Sequence, residues 1–184
     1  MKYHKKAKKN KKAFTLVETL VAIAILVTSV VAPLTIAANS MFQARYSRDQ
    51  IVATYLAQES VEMIRYVRDR NMMNALQGRT ADWLEFIPRE RWFSPDWNTA
   101  QDGNFQICSN PQNPDSCPYL KYNGAYGLAS GDNTPFRRAV KVSVNPNMHD
   151  EIVIESQVSW TSGATGQRTV HLKTRLYNWA VVED

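Results

Sequence analysis

The feature that most constrains this chain of 184 residues is an uncharged, largely apolar run over residues 19–38. Counted from Phe14 to Ala38, the segment forms about 37 Å of α-helix, enough to cross a hydrocarbon core of about 30 Å. Glu18 lies at its start, where the positive end of a helix dipole favours an anion. A carboxylate in such a segment is costly in lipid and usually functional. Residues 14–38 are therefore predicted to form a transmembrane helix with a functional acid in its first turn.

The first thirteen residues form a strongly basic leader, with seven lysines and no acid. The whole chain has 22 basic and 17 acidic residues, so removing the leader leaves 15 against 17 and changes the net charge from +5 to −2. Nucleic-acid binding through net charge is therefore not expected for the mature chain. A basic flank before an apolar helix is typical of the cytoplasmic side of a membrane span.

The start of the chain resembles the processing site of type IV prepilins and of the pseudopilins of type II secretion. The resemblance lies in the sequence Lys11-Lys12-Ala13-Phe14-Thr15-Leu16-Val17-Glu18 and the apolar run after it. It implies that prepilin peptidase cleaves between Ala13 and Phe14 and methylates the new Phe14 amine. It also implies that Glu18 pairs with the Phe14 ammonium of a neighbouring subunit during assembly. The family usually has glycine where this chain has Ala13; because alanine is the next smallest residue, slower processing is the worst effect expected.

Two residues of the apolar segment have alternative interpretations. Glu18 could instead cap its own helix or pair with its own Phe14 amine. A buried, half-satisfied carboxylate costs several kcal/mol, so an intersubunit pair sets register more than it adds stability. Pro33 removes a backbone hydrogen bond and predicts a kink. The resemblance implies that the helix loosens there in filaments, whereas a kink tolerated in a membrane helix is the simpler interpretation.

Residues 39–72 are predicted to continue the helix as an amphipathic half. Small and apolar residues recur within about 100° of one another around the helix, which suits packing on a sheet. This stripe contains Ala53, Leu56, Ala57, Ser60, Ile64 and Val67, and the far side contains Gln58, Glu59, Glu62, Arg65 and Asp69. We expect one helix from Phe14 to about Met72, with ion pairs Glu62–Arg65 and Arg65–Asp69 on its polar side.

Residues 73–135 are predicted to be irregular, because they hold six of the eight prolines with many Asn, Asp and Gly residues. An aromatic cluster in this region is either a small core or a binding surface; it consists of Trp83, Phe86, Trp92, Phe93 and Trp97. Cys108 and Cys117 lie in the part expected outside the cytoplasm, where such a pair most simply forms a disulfide. A zinc site would need two further ligands, and none is apparent nearby.

An antiparallel sheet is predicted for residues 136–180. Apolar and polar residues alternate over 140–144, 152–160 and 170–176, the pattern of strands with one buried face. Residues 105–107 are a candidate further strand. The expected fold is α+β and pilin-like, with the long helix packed on the sheet. The order of these C-terminal strands is also similar to that of the I-type minor pilins and minor pseudopilins. Those proteins end in a V-x-W strand, a V-x-L-x-T-x-L strand and a closing Asn-Trp. The corresponding residues here are 158–160, 170–176 and 178–179.

Catalytic motifs are lacking in the sequence. His4 lies in the leader, and His149 and His171 are expected on the surface without a catalytic partner. No nucleophile elbow, phosphate loop or zinc spacing is present. A loose resemblance to a calcium-binding loop is found at Asp96, Asn98 and residues 102–104. The spacing of these residues favours a turn instead. We therefore expect a protein without enzymatic activity, cofactor or metal.

The sequence predicts a structural subunit, a minor pilin or pseudopilin, of a type IV pilus or type II secretion pseudopilus. Its expected place is the bacterial inner membrane, with one span and the C-terminal head outside the cytoplasm. The expected partners are other subunits, prepilin peptidase and the inner-membrane assembly platform.

Two alternative functions remain open. The first is a secreted or anchored protein with an ordinary signal peptide, cleaved after residues 35–37 to leave Ala38 at the start. The second is a minor pilin whose head binds DNA or a surface through the aromatic cluster and Arg137-Arg138. The net charge of the mature chain does not favour DNA binding.

Overall fold

The computed structural model describes residues 15–79, 82–101, 103–148, 150–161 and 166–179. These residues belong to two compact units, the first ending at Arg45 and the second beginning at Tyr46. A long helix, α1 (Leu16–Leu76), contributes to both units. A C-terminal antiparallel sheet completes the second unit. The predicted pilin-like α+β fold is confirmed.

Helix α1 agrees with the predicted helix to within a few residues at each end, since it begins at Leu16 and ends at Leu76. Pro33 lies inside α1 and does not end it. A proline inside a helix leaves one carbonyl without its amide donor, but a long helix can continue across that gap. The predicted kink at Pro33 stays a prediction.

In the part of the second unit that the structure describes, seven strands and one short helix follow α1. In chain order they are β1 (Trp92–Ser94), α2 (Trp97–Ala100), β2 (Gln106–Ile107), β3 (Tyr119–Tyr122), β4 (Tyr126–Gly127), β5 (Asp132–Val144), β6 (Glu151–Thr161) and β7 (Gln167–Tyr177), with a 3₁₀ turn at Pro114–Ser116. The segment 73–135, for which the sequence predicted irregular structure, thus contributes four short strands to the sheet. The candidate strand at 105–107 is present as β2.

The sheet is built around β5, β6 and β7, which form the predicted antiparallel meander. The β5–β6 register places Phe136 opposite Trp160 and Val144 opposite Ile152. Strand β7 continues the meander on the far side of β6. The other edge of β5 pairs with β1 toward one end and with β3 toward the other. The short strands therefore extend the sheet on one side only.

The core of the second unit lies between α1 and one face of this sheet. The six residues of the predicted helix stripe are all buried. All of them except Ser60 belong to two apolar clusters, one around Ile64, Phe93 and Val142, and one around Leu56, Phe136 and Trp160. Between the helix and the sheet, the hydroxyls of Ser60 and Ser156 form a hydrogen bond of 2.7 Å. Each large side chain buried in this way stabilises the fold by about 1.5–3 kcal/mol.

The opposite face of the sheet carries a smaller cluster that contains the cysteines. Cys108 and Cys117 form a disulfide and pack with Ala139 and Trp92. Ala139 alternates along β5 with Val140, so it faces away from the α1 side. The predicted disulfide is therefore present, and it fastens the loop 109–116 to the back of the sheet.

Candidate functional site

The N-terminal part of α1 begins at a polar cap that the sequence reading did not identify. The Thr15 hydroxyl accepts a hydrogen bond from the Glu18 amide, with Oγ1 and N 3.2 Å apart. A threonine followed three residues later by a glutamate is the spacing of a capping box, in which the threonine satisfies a free amide of the first turn. Glu18 lies in the first turn and is exposed. The signal for this cap was therefore present in the sequence.

The predicted cleavage site falls outside the described residues, because these begin at residue 15. Cleavage between Ala13 and Phe14 and methylation of Phe14 thus remain expectations from the sequence. Glu18 lies at the accessible start of the apolar helix, and Pro33 lies fifteen residues farther along it. Of the predicted site residues, only Cys108 and Cys117 are brought together.

Every residue from 15 to 48 is exposed, including the large apolar side chains. Leu16, Val17 and Leu20 each expose more than 60% of their surface, and the most apolar 18-residue window of α1 has no buried residue. By length and composition, α1 is the one helix in the described ranges that could cross a membrane. A segment with this composition needs lipid or other apolar helices around it.

The hydroxyl groups of this exposed segment are satisfied by the helix itself. Thr28 Oγ1 donates to Ala24 O at 3.0 Å, and Ser29 Oγ donates to Ile25 O at 2.6 Å. Such bonds to the backbone one turn earlier remove the need for water. The segment between Glu18 and Ala38 can therefore be surrounded by apolar groups without leaving its hydroxyl donors unpaired.

The second unit contains a buried ion pair that the sequence analysis did not predict. Arg138, on β5, is fully buried, and its Nη1 donates to Glu59 Oε2 on α1 at 2.6 Å. Its Nη2 donates to Pro95 O at 2.6 Å. Trp97 Nε1 donates to the other Glu59 oxygen at 2.9 Å. One guanidinium thus joins the helix, the sheet and the segment before α2.

The position of Glu59 corrects the prediction that it lies on the far side of the helix. Glu59 is three residues from Leu56, which places it about 60° from the apolar stripe, at its edge. From there its carboxylate reaches Arg138. Burial lowers the pKa of the Arg138 guanidinium, and the carboxylates of Glu59 and Asp96 oppose that shift. Arg138 is therefore unable to contact DNA, contrary to the alternative that used Arg137-Arg138.

The other predicted ion pairs are found in part. Glu62 accepts from Arg65 Nη1 at 2.6 Å, as the spacing predicted. Asp69 instead accepts from Arg68 Nε at 2.8 Å and from Trp179 Nε1 at 3.3 Å. Asp69 therefore has one partner on α1 and one in the C-terminal segment.

The aromatic cluster of residues 83–97 is mainly a core feature. Phe93 is fully buried, Trp83 and Trp97 pack against the larger apolar cluster, and Trp92 packs against the disulfide. Phe86 is the exception, being 57% exposed. Most of the cluster is thus unavailable as a binding surface. In the described ranges there is no group of three His, Cys, Asp or Glu side chains that could hold a metal ion.

Comparison with known proteins finds the prokaryotic N-terminal methylation motif at residues 8–32. This range includes the predicted cleavage site, Glu18 and most of the apolar segment. Searches of the curated proteins and of the solved structures found no match. The motif stands at the start of a long apolar helix that precedes an antiparallel sheet. The motif covers only the start of the chain; together with the fold that follows, it supports a relationship to the type IV pilins and pseudopilins.

Proposed function

We propose that this protein is a minor structural subunit of a type IV pilus or of a type II secretion pseudopilus. Prepilin peptidase cleaves before Phe14 and methylates the new amine. The mature subunit stays in the inner membrane with its head outside the cytoplasm until the assembly platform extracts it into a filament. Its function is assembly rather than catalysis. The observation that carries this proposal is the N-terminal methylation motif at residues 8–32.

The exposed apolar surface of α1 supports assembly through this helix. Residues 16–38 present apolar side chains around the whole helix rather than along one stripe. Lipid covers such a helix before assembly, and the helices of other subunits cover it afterwards. Since lipid and packed helices are similarly apolar, moving from one to the other does not require water to reach the segment.

The cap on the first turn supports a role for Glu18 between subunits. The Thr15 hydroxyl already accepts from the Glu18 amide, so the start of the helix does not depend on the Glu18 carboxylate. A carboxylate surrounded by apolar helices is costly unless a cation lies beside it. The Phe14 ammonium of a neighbouring subunit supplies that cation when the two helices are in the correct register.

The continuity of α1 argues against an ordinary signal peptide. Residues 35–37, the alternative cleavage site, lie within one uninterrupted helix that ends only at Leu76. Within a helix the backbone amides and carbonyls bond to one another, so they are not free to bind a peptidase. Cleavage there would also remove Glu18 and the whole apolar segment.

The N-terminal residue of the mature protein distinguishes processing by prepilin peptidase from cleavage of an ordinary signal peptide. Mass spectrometry of the protein purified from its native membrane should identify N-methylphenylalanine at residue 14. A chain that starts at Ala38, or one that keeps the leader, would contradict the proposal. Ala13→Gly serves as the matched variant, because glycine is the family's usual residue at this position. The fraction of the variant that is cleaved should be at least as large as that of the native chain. The mature variant should also begin with N-methylphenylalanine at residue 14.

A further inference from the structure

The second unit contains a small cavity that the assembly role does not use. It lies between the start of α2 and the segment that follows β3, and it encloses about 220 Å³. Pockets for drug-sized ligands have volumes of about 300–1,000 Å³, so this cavity suits a smaller molecule. Its chemically distinctive lining residues are Asp96, Trp97, Asn98, Asn123, Tyr126 and Ser130.

The two walls of the cavity are held together by one buried carboxylate. Asp96 is only 2% exposed. Its Oδ1 accepts from Asn98 N on its own wall at 3.1 Å, and its Oδ2 accepts from Leu128 N on the opposite wall at 2.7 Å. At Gly127, a Cβ atom would lie 3.1 Å from Asp96 Oδ2, so glycine permits this close approach. The cavity is therefore preorganised by its own backbone contacts.

The wall that carries Trp97 is also fixed from behind. The indole nitrogen of Trp97 donates to Glu59, and Tyr66 packs its ring against the Trp97 ring with centroids 5.9 Å apart. Arg138 holds the carbonyl of Pro95, the residue before Asp96. These contacts fasten the cavity to α1 and β5, so a bound molecule would meet a rigid wall.

Charges of both signs lie around the cavity. The Asp96 carboxylate is buried in one wall, where Arg138 is shared between it and Glu59. On the opposite wall, Lys121 Nζ donates to Ala129 O at 3.4 Å. A neutral ligand therefore avoids the repulsion that either an anion or a cation would meet.

The hydrogen-bonding groups of the lining favour a neutral ligand. Asn98, Asn123 and Ser130 each offer both donors and acceptors. Hydroxyl groups match such side chains because they also donate and accept. Tyr126 also lines the cavity, and its phenol both donates and accepts. Trp97 and Tyr126 add flat apolar surface, which suits the C–H face of a ring.

We propose that this cavity, which lies between residues 96–98 and 123–130, binds one neutral polyhydroxylated ring, such as a single sugar residue of a glycan. The ring hydroxyls bond to Asn98, Asn123 and Asp96, and the apolar ring face lies against an aromatic side chain. Binding at a site of this size should be weak, with a Kd of about 1 mM. The inference rests on the second unit alone and does not depend on the assembly proposal.

Saturation-transfer NMR and tryptophan fluorescence on the full chain test this proposal. The chain is held in dodecylphosphocholine, because detergents with sugar headgroups would compete. The probes are the methyl glycosides of glucose, galactose, mannose and N-acetylglucosamine. At least one should saturate the protein, and the double variant Asn98→Ala with Asn123→Ala should weaken its binding at least about fivefold. Both side chains are exposed, so the variant should keep its fold.

Asn147→Ala is the matched control, since it removes an exposed asparagine amide in a turn outside the cavity. It should bind as the native chain does. Three results would overturn the proposal. One is no saturation by any glycoside up to roughly 20 mM. Another is a double variant that binds the glycoside as tightly as the native chain does and has the same circular dichroism spectrum. The third is binding of ethylammonium or Ca²⁺ at these asparagines without binding of a glycoside, which would assign a cation site.

Discussion

The two parts of α1 differ in what surrounds them. From residue 15 to residue 48 every residue is exposed, and the hydroxyls between residues 19 and 38 bond to the helix's own carbonyls. From Ala53 onward, the same helix is buried along one side against the sheet and the segment 83–105. Polar side chains there reach other segments, as Glu59 does to Arg138 and Asn71 does to Glu85 O at 2.8 Å.

This difference shows that one continuous helix carries two kinds of surface. The second part has its partners within the chain, so its side chains stabilise the head. Near the boundary, the Arg168 guanidinium lies over the Tyr46 ring, 5.7 Å from its centroid. In the described ranges, residues 15–45 have no such partners, so the stability of this stretch depends on lipid or on other subunits. Substitutions in the two parts should therefore fail in different ways, and matched pairs make the comparison testable.

The largest effect is expected from a matched isoleucine pair in α1. Ile64 is fully buried and Ile25 is 60% exposed. Ile64→Ala should lower the free energy of unfolding of the head by about 3–4 kcal/mol, because it leaves a cavity in the core. Ile25→Ala should leave that value unchanged. Denaturant titration of both variants in micelles measures the difference, and equal losses would remove the distinction between the two parts.

A smaller effect is expected at the buried ion pair. Glu59→Ala leaves the Arg138 guanidinium buried without its carboxylate partner. It should therefore lower the free energy of unfolding of the head by about 3 kcal/mol. Glu62→Ala removes only the exposed pair with Arg65, with side chains 53% and 41% exposed, and should cost less than about 0.5 kcal/mol. Thermal unfolding of both variants gives the comparison. A loss at Glu59 no greater than that at Glu62 would show that the pair does not hold α1 to the sheet.

The smallest of the three effects on the head concerns the disulfide. Replacing Cys108 and Cys117 together by serine should cost about 2.5 kcal/mol, because the unfolded chain regains the freedom of the loop between them. Unfolding in denaturant, with and without reductant, measures this loss. Reductant should lower the free energy of unfolding of the native chain toward that of the double variant. It should not change the free energy of unfolding of the double variant. A native chain that is insensitive to complete reduction would contradict this role.

The sequence predicted those features that depend on long repeating patterns. The stripe from Ala53 to Val67 spans four turns of helix, and each strand of the meander has enough alternation to identify its buried face. A long apolar segment after a basic leader is equally distinctive. The pairing of Cys108 with Cys117 followed from their spacing and the expected compartment.

Other features depend on contacts between distant residues, which local patterns do not reveal. Strands β1, β2 and β4 have two or three residues each, too few to show a period. Arg138 lies on the core face with Val140 and Val142, but its charge argued for a surface position. Its contacts with Glu59, 79 residues earlier, and with Pro95 O make its burial tolerable. The cavity near Asp96 likewise arises where two separate loops meet.

The most direct test of the assembly account is incorporation of a Glu18→Gln subunit into filaments. Glu62→Gln, which changes an exposed glutamate of the head, is the control. Quantitative immunoblotting of sheared filaments and of membranes should show equal amounts of all three proteins in the membrane. The filaments should contain at least about tenfold less of the Glu18→Gln subunit, since it lacks the charge that pairs with a neighbouring amine. Equal incorporation of the Glu18→Gln and native subunits would contradict the account.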